Sequence, residues 1–293
     1  MKCRVCGGTA ELEITTQDYM LNREPFDYCV CQDCGTWLLE AIPENIGDYY
    51  KTDYYSYNET DSPASIQHFR RVAKIMIKDF KLTETSSVLD YGGGSIKLLK
   101  GLYGEGVGID GELHKLRCYD KFAPEVEWQG IKLQNKLPTD MKFDFILSKH
   151  CIEHEIIPDT QIKNILDLLS KDGIAHIVAP NPDSVDAEHF KGYWIGIDAP
   201  RHINVMPIKA LKKIIERCGG DVIKADTVAE PSDFLTSEMY LNGGMWKDRD
   251  KYITDTKDDR ISEIYYYSKI CAEIGKADIL AITFKKKKQT DNN

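Results

Sequence analysis

The residues that most constrain this chain are Val88-Leu89-Asp90-Tyr91-Gly92-Gly93-Gly94-Ser95. They read as an apolar strand that runs into a glycine turn and opens a helix. A second apolar run ending in an acid, Val107-Gly108-Ile109-Asp110, follows at the spacing of a strand–helix–strand unit. Such a unit predicts a nucleotide-like cofactor at the carboxyl edge of a parallel sheet. Glycine is needed where backbone passes close to a ligand, because a Cβ would occupy the gap. Asp110, with Gly111 beside it, is the acid expected to accept hydrogen bonds from two ribose hydroxyls. Two cofactor classes drop out. A dinucleotide fingerprint is G-x-G-x-x-G, and Lys97 stands where its third glycine would be. A P-loop requires Gly-Lys followed by Ser or Thr, and none follows here.

The cysteines supply the second constraint. Of nine in the chain, Cys3, Cys6, Cys29, Cys31 and Cys34 fall before residue 35. Two C-x-x-C-G knuckles stand out, Cys3-Arg4-Val5-Cys6-Gly7 and Cys31-Gln32-Asp33-Cys34-Gly35. Paired knuckles with this spacing predict a tetrahedral zinc site made by Cys3, Cys6, Cys31 and Cys34. Four protein ligands leave no open position, so the zinc is expected to be structural. Cys29 is a spare thiol that competes with Cys31 for the role. Short strands are expected at residues 10–14, 27–30 and 36–39, as a ribbon requires.

Charge narrows the partners. The 293-residue chain has a net charge of −9 and an isoelectric point near 5.4. Nucleic-acid affinity comes from Lys and Arg neutralising phosphates, so no nucleic-acid partner is expected. No apolar run approaches the ~20 residues that span a bilayer, and Met1-Lys2-Cys3-Arg4 shows no apolar signal core. The expectation is a cytoplasmic protein with no membrane partner, in a compartment that keeps thiols reduced.

Between the ribbon and the glycine turn lies a tyrosine-rich segment, residues 48–57, that includes Tyr54 and Tyr55. These rings are read as linker packing or as a cover over the site. Ser62-Pro63 then opens a helix with an apolar stripe of Ile66, Phe69, Ala73, Met76 and Phe80. After the glycine turn, strands and helices alternate. Strands are expected at 106–110, 126–128, 143–148, 174–179, 221–225 and 277–284. Helices are expected at 97–103, 112–119, from Asp159 to Leu169, at 208–218 and at 261–274. Alternation predicts an α/β fold with a doubly wound, seven-stranded sheet. The divisions are residues 1–45 for the ribbon, 46–80 for the linker and first helix, and 81–293 for the main domain. Insertions at 181–206 and 231–276 are expected on the acceptor side.

The run D-x-G-x-G after a strand resembles motif I of the class I S-adenosylmethionine (SAM) methyltransferases, (D/E)-x-G-x-G-x-G. Ile96 holds the last glycine position here. Downstream, Ser148-x-His150-x-x-Glu153-His154 follows an apolar strand, and Val178-Ala179-Pro180-Asn181-Pro182 ends the next. Alone, His150 to His154 would match the inverted zinc-protease motif H-x-x-E-H, but that motif sits on a helix and this one leaves a strand. Trp194-x-Gly196-x-Asp198-x-Pro200-Arg201-His202 completes the pattern. The order of these segments is similar to the ubiquinone-type and polysaccharide-associated sugar methyltransferases that carry an N-terminal ribbon.

The resemblance implies SAM as cofactor, held by Asp90, Tyr91, Gly92, Gly93, Gly94, Asp110, Gly111, Ser148 and His150. It implies a small, sugar-like acceptor bordered by Tyr54, Tyr55, Trp194, Asp198 and Arg201. A hydroxyl loses a proton as it attacks a methyl group, and His titrates near working pH. His202 is therefore the first candidate base, His154 the second, with Glu153 beside them. Arg201 would suit an anionic acceptor through its bidentate fork. The expected activity is O-methylation in glycan or metabolite biosynthesis. N- or C-methylation, or a non-catalytic ribbon protein, are the alternatives.

Overall fold

A computed structural model describes residues 1–50, 61–109 and 115–288. The N-terminal strands are β1 (Ala10–Gln17), β2 (Pro25–Cys31) and β3 (Trp37–Leu39), paired antiparallel in that order. Helix α1 (Pro63–Phe80) starts as its sequence dictates, with the Ser62 hydroxyl accepting from the Ser65 amide at 3.2 Å. Ala73 and Met76 bury its stripe, whereas Ile66 is 50% exposed.

The main domain runs through β4 (Val88–Tyr91), α2 (Lys97–Gly104), β5 (Leu116–Tyr119), β6 (Val126–Trp128), β7 (Ile131–Gln134) and β8 (Phe143–Lys149). It continues through α3 (Pro158–Leu168), β9 (Leu169–Pro180), α4 (Val185–Phe190), β10 (Asn204–Val205) and α5 (Ile208–Arg217). It ends with β11 (Gly220–Val228), α6 (Pro231–Leu241), α7 (Arg249–Asp255), α8 (Asp258–Glu273) and β12 (Ile279–Lys286). The large sheet has the order β11-β12-β9-β8-β4-β5-β7-β6. Its middle, from β7 to β9, is parallel, while β12 lies antiparallel between β9 and β11. The chain leaves β4 toward β5 and β7, then returns to β8 on the other side. That reversal puts the topological switch point at the carboxyl ends of β4 and β8, where α/β sheets bind ligands.

The fold is the expected doubly wound α/β sheet, but several elements differ from the sequence expectation. The second strand is Leu116–Tyr119, not 106–110. Gly106 and Gly108 have φ of 88° and 68°, a left-handed backbone that bends the chain instead of extending it. Residues 116–119 are not helical: Leu116 and Cys118 are fully buried and alternate with half-buried Arg117 and Tyr119, a period of two. The third parallel strand is β7. The expected strand at 126–128 is its antiparallel edge partner, which makes the sheet eight-stranded. Much of the polar stretch 233–259 is helical, in α6 and α7.

The ribbon is built into the domain. Strand β10 pairs antiparallel with β3 and becomes the fourth strand of the ribbon sheet. Cys3, Val5, Cys31 and Cys34 share one buried cluster with Met206, Leu211 and Ile214. Tyr28, Trp37 and Leu39 share another with Phe190, Trp194, Ile197 and Val205. Among the described residues, no helix is long and apolar enough to cross a membrane.

Candidate functional site

The cofactor edge is assembled from β4, β5 and β8. Gly92 turns with φ of 78° and donates its amide to the Tyr119 carbonyl at 2.6 Å. A Cβ there would run into the Cys151 thiol, and one at Gly93 would stand 2.6 Å from the Asp90 carboxylate. The glycines are thus required by neighbouring protein as well as by backbone conformation. Asp90 is 5% exposed. Burial first, then the Asp120 charge, push its carboxyl up to about 7, with Lys149 opposing.

Asp120 is the residue the sequence argument missed. It directly follows β5, so it occupies the acid position that the motif assigns after the second strand. Its carboxylate accepts the amides of Gly94 at 3.0 Å, Phe122 at 2.9 Å and Ala123 at 3.0 Å. The signal was present in the alternation Leu116-Arg117-Cys118-Tyr119 that ends on it. Asp110 and Gly111, and likewise Tyr54 and Tyr55, lie outside the described residues.

Two expected cofactor contacts have side chains turned into the core. The Tyr91 side chain is buried against Tyr119, with ring centroids 4.9 Å apart, and its hydroxyl meets Asn164 at 3.4 Å. Ser148 is fully buried and its hydroxyl accepts from Gln161 at 2.8 Å. His150 does face open space. It adopts φ of 50°, is held by its amide on the Val178 carbonyl at 2.8 Å, and lines a cavity beyond the strand ends.

That cavity, about 180 Å³, brings together parts of the chain far apart in sequence. Met20 comes from the β1–β2 hairpin, His150 from the β8 exit, and Trp194, Asp198 and His202 from the 181–206 insertion. Asp233, Tyr240 and Trp246 come from the 231–276 insertion, and Asp278 precedes β12. None of these four was foreseen: 233–259 read only as a polar stretch, and Asp278 fell within an expected strand.

Beside the cavity, Glu153 and His154 sit on a 3-10 turn, Ile152–His154. The Ile203 amide donates to the Glu153 carbonyl at 2.8 Å and ties this turn to His202. His202 Nδ1 lies 2.8 Å from the Gly196 carbonyl. A carbonyl only accepts, so Nδ1 carries the hydrogen and Nε2 keeps its lone pair. His154 Nδ1 lies 2.9 Å from the Arg201 carbonyl and 2.8 Å from the Tyr50 hydroxyl. Glu153 is 1% exposed, 3.3 Å from His150 Nδ1 and 3.7 Å from His202 Nε2. Burial works to raise its carboxyl, but the facing His150, His202 and His154 rings bring it down to about 2. Burial and the His154 charge lower His202 to about 4, against the pull of Glu153 and Asp198. An anion beside a neutral imidazole can receive a proton. The ligating atoms of Glu153, His154 and His202 lie within 4.8 Å of one another, a spacing that would also accept a divalent cation.

Arg201, expected to border the acceptor, is turned inward. It is fully buried, with Nη2 2.6 Å and Nε 2.9 Å from the two Asp198 oxygens and Nη2 3.1 Å from Asp18. The fork fastens this loop to the β1–β2 hairpin. Asp198 reaches the cavity wall, but its oxygens serve Arg201, whose charge outweighs burial and keeps the carboxyl below its usual range. Trp194 is 2% exposed and packs edge-on against Trp37 at 5.6 Å.

At the far end of the ribbon, the thiols of Cys3, Cys6, Cys31 and Cys34 lie within 4.8 Å of one another. Cys3 and Cys34 are 3.7 Å apart and Cys6 and Cys31 3.5 Å apart. Burial would raise Cys31, yet the amides of Cys34 and Asp33 and the neighbouring thiols bring it down to about 7. This set fits a tetrahedral thiolate centre. Cys29 points elsewhere, into the core with Leu38, and is 2% exposed.

Residues 66–225 match the model of a family described as a methyltransferase domain. The fold is similar to that of Burkholderia thailandensis 1,6-didemethyltoxoflavin-N1-methyltransferase, at 12% identity and a TM-score of 0.47, covering 93% of this chain and 100% of that one. It is similar to a SAM-dependent methyltransferase from Archaeoglobus fulgidus, at 16% identity and 0.45, covering 74% and 94%. A putative sarcosine dimethylglycine methyltransferase from Galdieria sulphuraria matches at 12% identity and 0.44, covering 75% and 86%. No curated protein matches the chain.

Proposed function

The chain belongs to the methyltransferase-domain family, and from that premise we propose that it methylates a hydroxyl of a small, sugar-like acceptor in glycan or metabolite biosynthesis. The observation that carries the proposal is His202. Its Nε2 keeps a lone pair at the edge of a cavity that His150 shares with the cofactor edge. When bound, SAM supplies a methyl group activated by its sulfonium. Asp90, the backbone of Gly92, Gly93 and Gly94, Asp120 and His150 would hold it. Side chains at Gly92 and Gly93 would run into Cys151 and Asp90, Gly94 takes a left-handed φ of 63°, and Asp120 already sets the Gly94 amide.

The protein's own part is positioning and proton removal. The cavity holds the acceptor beside the cofactor edge, which converts an encounter into an oriented attack. His202 takes the hydroxyl proton as the oxygen attacks. Its Nδ1–H stays on the Gly196 carbonyl and fixes the ring, and the Glu153 anion stabilises the imidazolium that forms. His154 is the second candidate. The ribbon's four cysteines would hold a zinc ion whose role is structural, stiffening the loop that carries His202.

The test is a pair of variants measured for binding and turnover. His202→Ala should keep S-adenosylhomocysteine affinity and lose about 10²–10⁴-fold in kcat. If His202→Ala and His154→Ala both retain near-full activity with unchanged affinity, the base assignment is wrong.

A further inference from the structure

The cavity is an unusual place to put a neutral sugar. Among the described residues lining it, Asp198, Asp233 and Asp278 supply three carboxylates, and the only basic groups are His150 and His202. Asp198 is engaged by Arg201. Asp278 is not satisfied in the same way. It is 5% exposed, and one oxygen takes the Glu230 amide at 3.2 Å. The other, Oδ2, has no hydrogen-bond partner among the described residues. A buried carboxylate oxygen left this way is costly unless a positive charge or a donor reaches it.

Asp233 stands on the first turn of α6, half-buried, and lines the same space. Burial raises both carboxyls, and the charge of Asp233 raises Asp278 further. The charges of His150, Arg249 and Lys149 oppose that rise at Asp233, but the Arg249 guanidinium makes no hydrogen bond to either acid among the described residues. Arg249 is held by the hydroxyls of Thr236 and Ser232, each at 3.1 Å, and lies 5.2 Å from the Trp246 ring centre. Three aromatic rings, Trp194, Tyr240 and Trp246, contribute to the wall. Aromatic faces attract cations and offer nothing comparable to anions.

We propose that this cavity selects an acceptor bearing a protonated amine, with the ammonium seated against Asp278 and Asp233 beside the aromatic wall. The inference rests on the methyl-transfer reading of the same site and names its substrate class: an amino sugar or a comparable amino alcohol. The ammonium supplies the positive charge that both acids call for beside the aromatic wall. The hydroxyl to be methylated then lies on the His202 side, away from the cation. An anionic acceptor, which Arg201 once suggested, meets three carboxylates and no free fork.

Matched probes test this without knowledge of the natural acceptor. The full-length protein, saturated with S-adenosylhomocysteine, is titrated with choline against its uncharged isostere 3,3-dimethylbutan-1-ol, and with glucosamine against glucose. Tryptophan fluorescence reads binding through Trp194 and Trp246. The cation of each pair should bind at least about ten-fold more tightly. Asp278→Asn and Asp233→Asn should each reduce that preference and together abolish it. Unchanged S-adenosylhomocysteine affinity in the variants verifies their folding, and Asp233→Asn, the less buried change, carries the test if Asp278→Asn does not fold. Equal affinity within each pair, or no binding of either cation at tens of millimolar, overturns the proposal. The two ideas fail separately: His202-dependent methylation of neutral alcohols alone removes the ammonium requirement, whereas no affinity for S-adenosylhomocysteine removes methyl transfer itself.

Discussion

Asp120 makes the local geometry of the cofactor edge. One of its oxygens receives the amides of Phe122 and Ala123, and the other receives the Gly94 amide from the neighbouring loop. An Asn at this position would keep the first pair but turn an NH2 group toward the Gly94 N–H. Loss of a charge-assisted bond costs about 1.5–3 kcal/mol, which is roughly 10–150-fold in affinity. Asp120→Asn should therefore weaken S-adenosylhomocysteine by that order in a calorimetric titration, and Asp110→Asn should change it little. The reverse ranking would return the ribose role to Asp110. His202 depends on its neighbours in a similar way, because its tautomer is set by Gly196 and its neutral form is favoured by burial against the pull of Glu153. Residue type alone told which groups could do acid–base chemistry. It did not tell that Arg201 would be spent on Asp18 and Asp198, because both partners had to be brought to it by folding.

At the scale of elements, the N-terminal sheet braces the loop that carries His202. Arg4, between two cysteines of the first knuckle, donates to the carbonyls of Leu39 at 2.6 Å and Ile203 at 3.2 Å. The Tyr28 hydroxyl donates to the His202 carbonyl at 2.7 Å, and β10 completes the ribbon sheet against β3. A thiolate centre folds with its metal, so with zinc at the four thiols as proposed, its removal should loosen whatever the knuckles hold. Chelation is expected to speed hydrogen exchange across residues 201–206 while leaving 88–91 protected. Unaltered exchange at 201–206 in metal-free protein would show that the loop stands without the brace. Long elements with strong patterns, such as α1, β8, α3 and β12, were legible because each buries one apolar face or run. The second strand was not. Val107-Gly108-Ile109-Asp110 imitates a strand end in composition, yet two left-handed glycines bend it, and the four-residue β5 is too short for its period to stand out. The clustering of the four cysteines was legible because paired C-x-x-C knuckles bring their thiols together. The acidic cavity was not, since Asp233 and Asp278 are 45 positions apart and meet only once β12 enters the sheet.

Across the whole molecule, the large sheet divides the work. Its switch point fixes the cofactor edge, while the hairpin and both insertions converge over the β9–β12 side to enclose the acceptor cavity. The convergence buries acids in a chain that already carries a net charge of −9, and stability should register it. Burial lifts Asp90 to about 7, Asp233 to about 6 and Asp278 to about 8. An acid whose folded pKa is raised binds its proton more tightly when folded. Its stabilising contribution is complete below the ordinary carboxylate range and disappears as pH rises through the folded value. Histidines pushed down by burial, His176 and His202, both to about 4, act in the opposite sense, and near pH 6.5 about half of each unfolded ring still carries its proton. From pH 6.5 to 8.5 the gain still to come from these rings is smaller than the loss from the acids. The ligand-free protein should therefore lose on the order of 2 kcal/mol over that interval, read as a fall in the urea midpoint at constant slope. Combining Asp90→Asn with Asp278→Asn should flatten most of the fall, because neither amide ionises. A wild-type midpoint that holds or rises between pH 6.5 and 8.5 would mean that these carboxylates are already ionised in the folded chain.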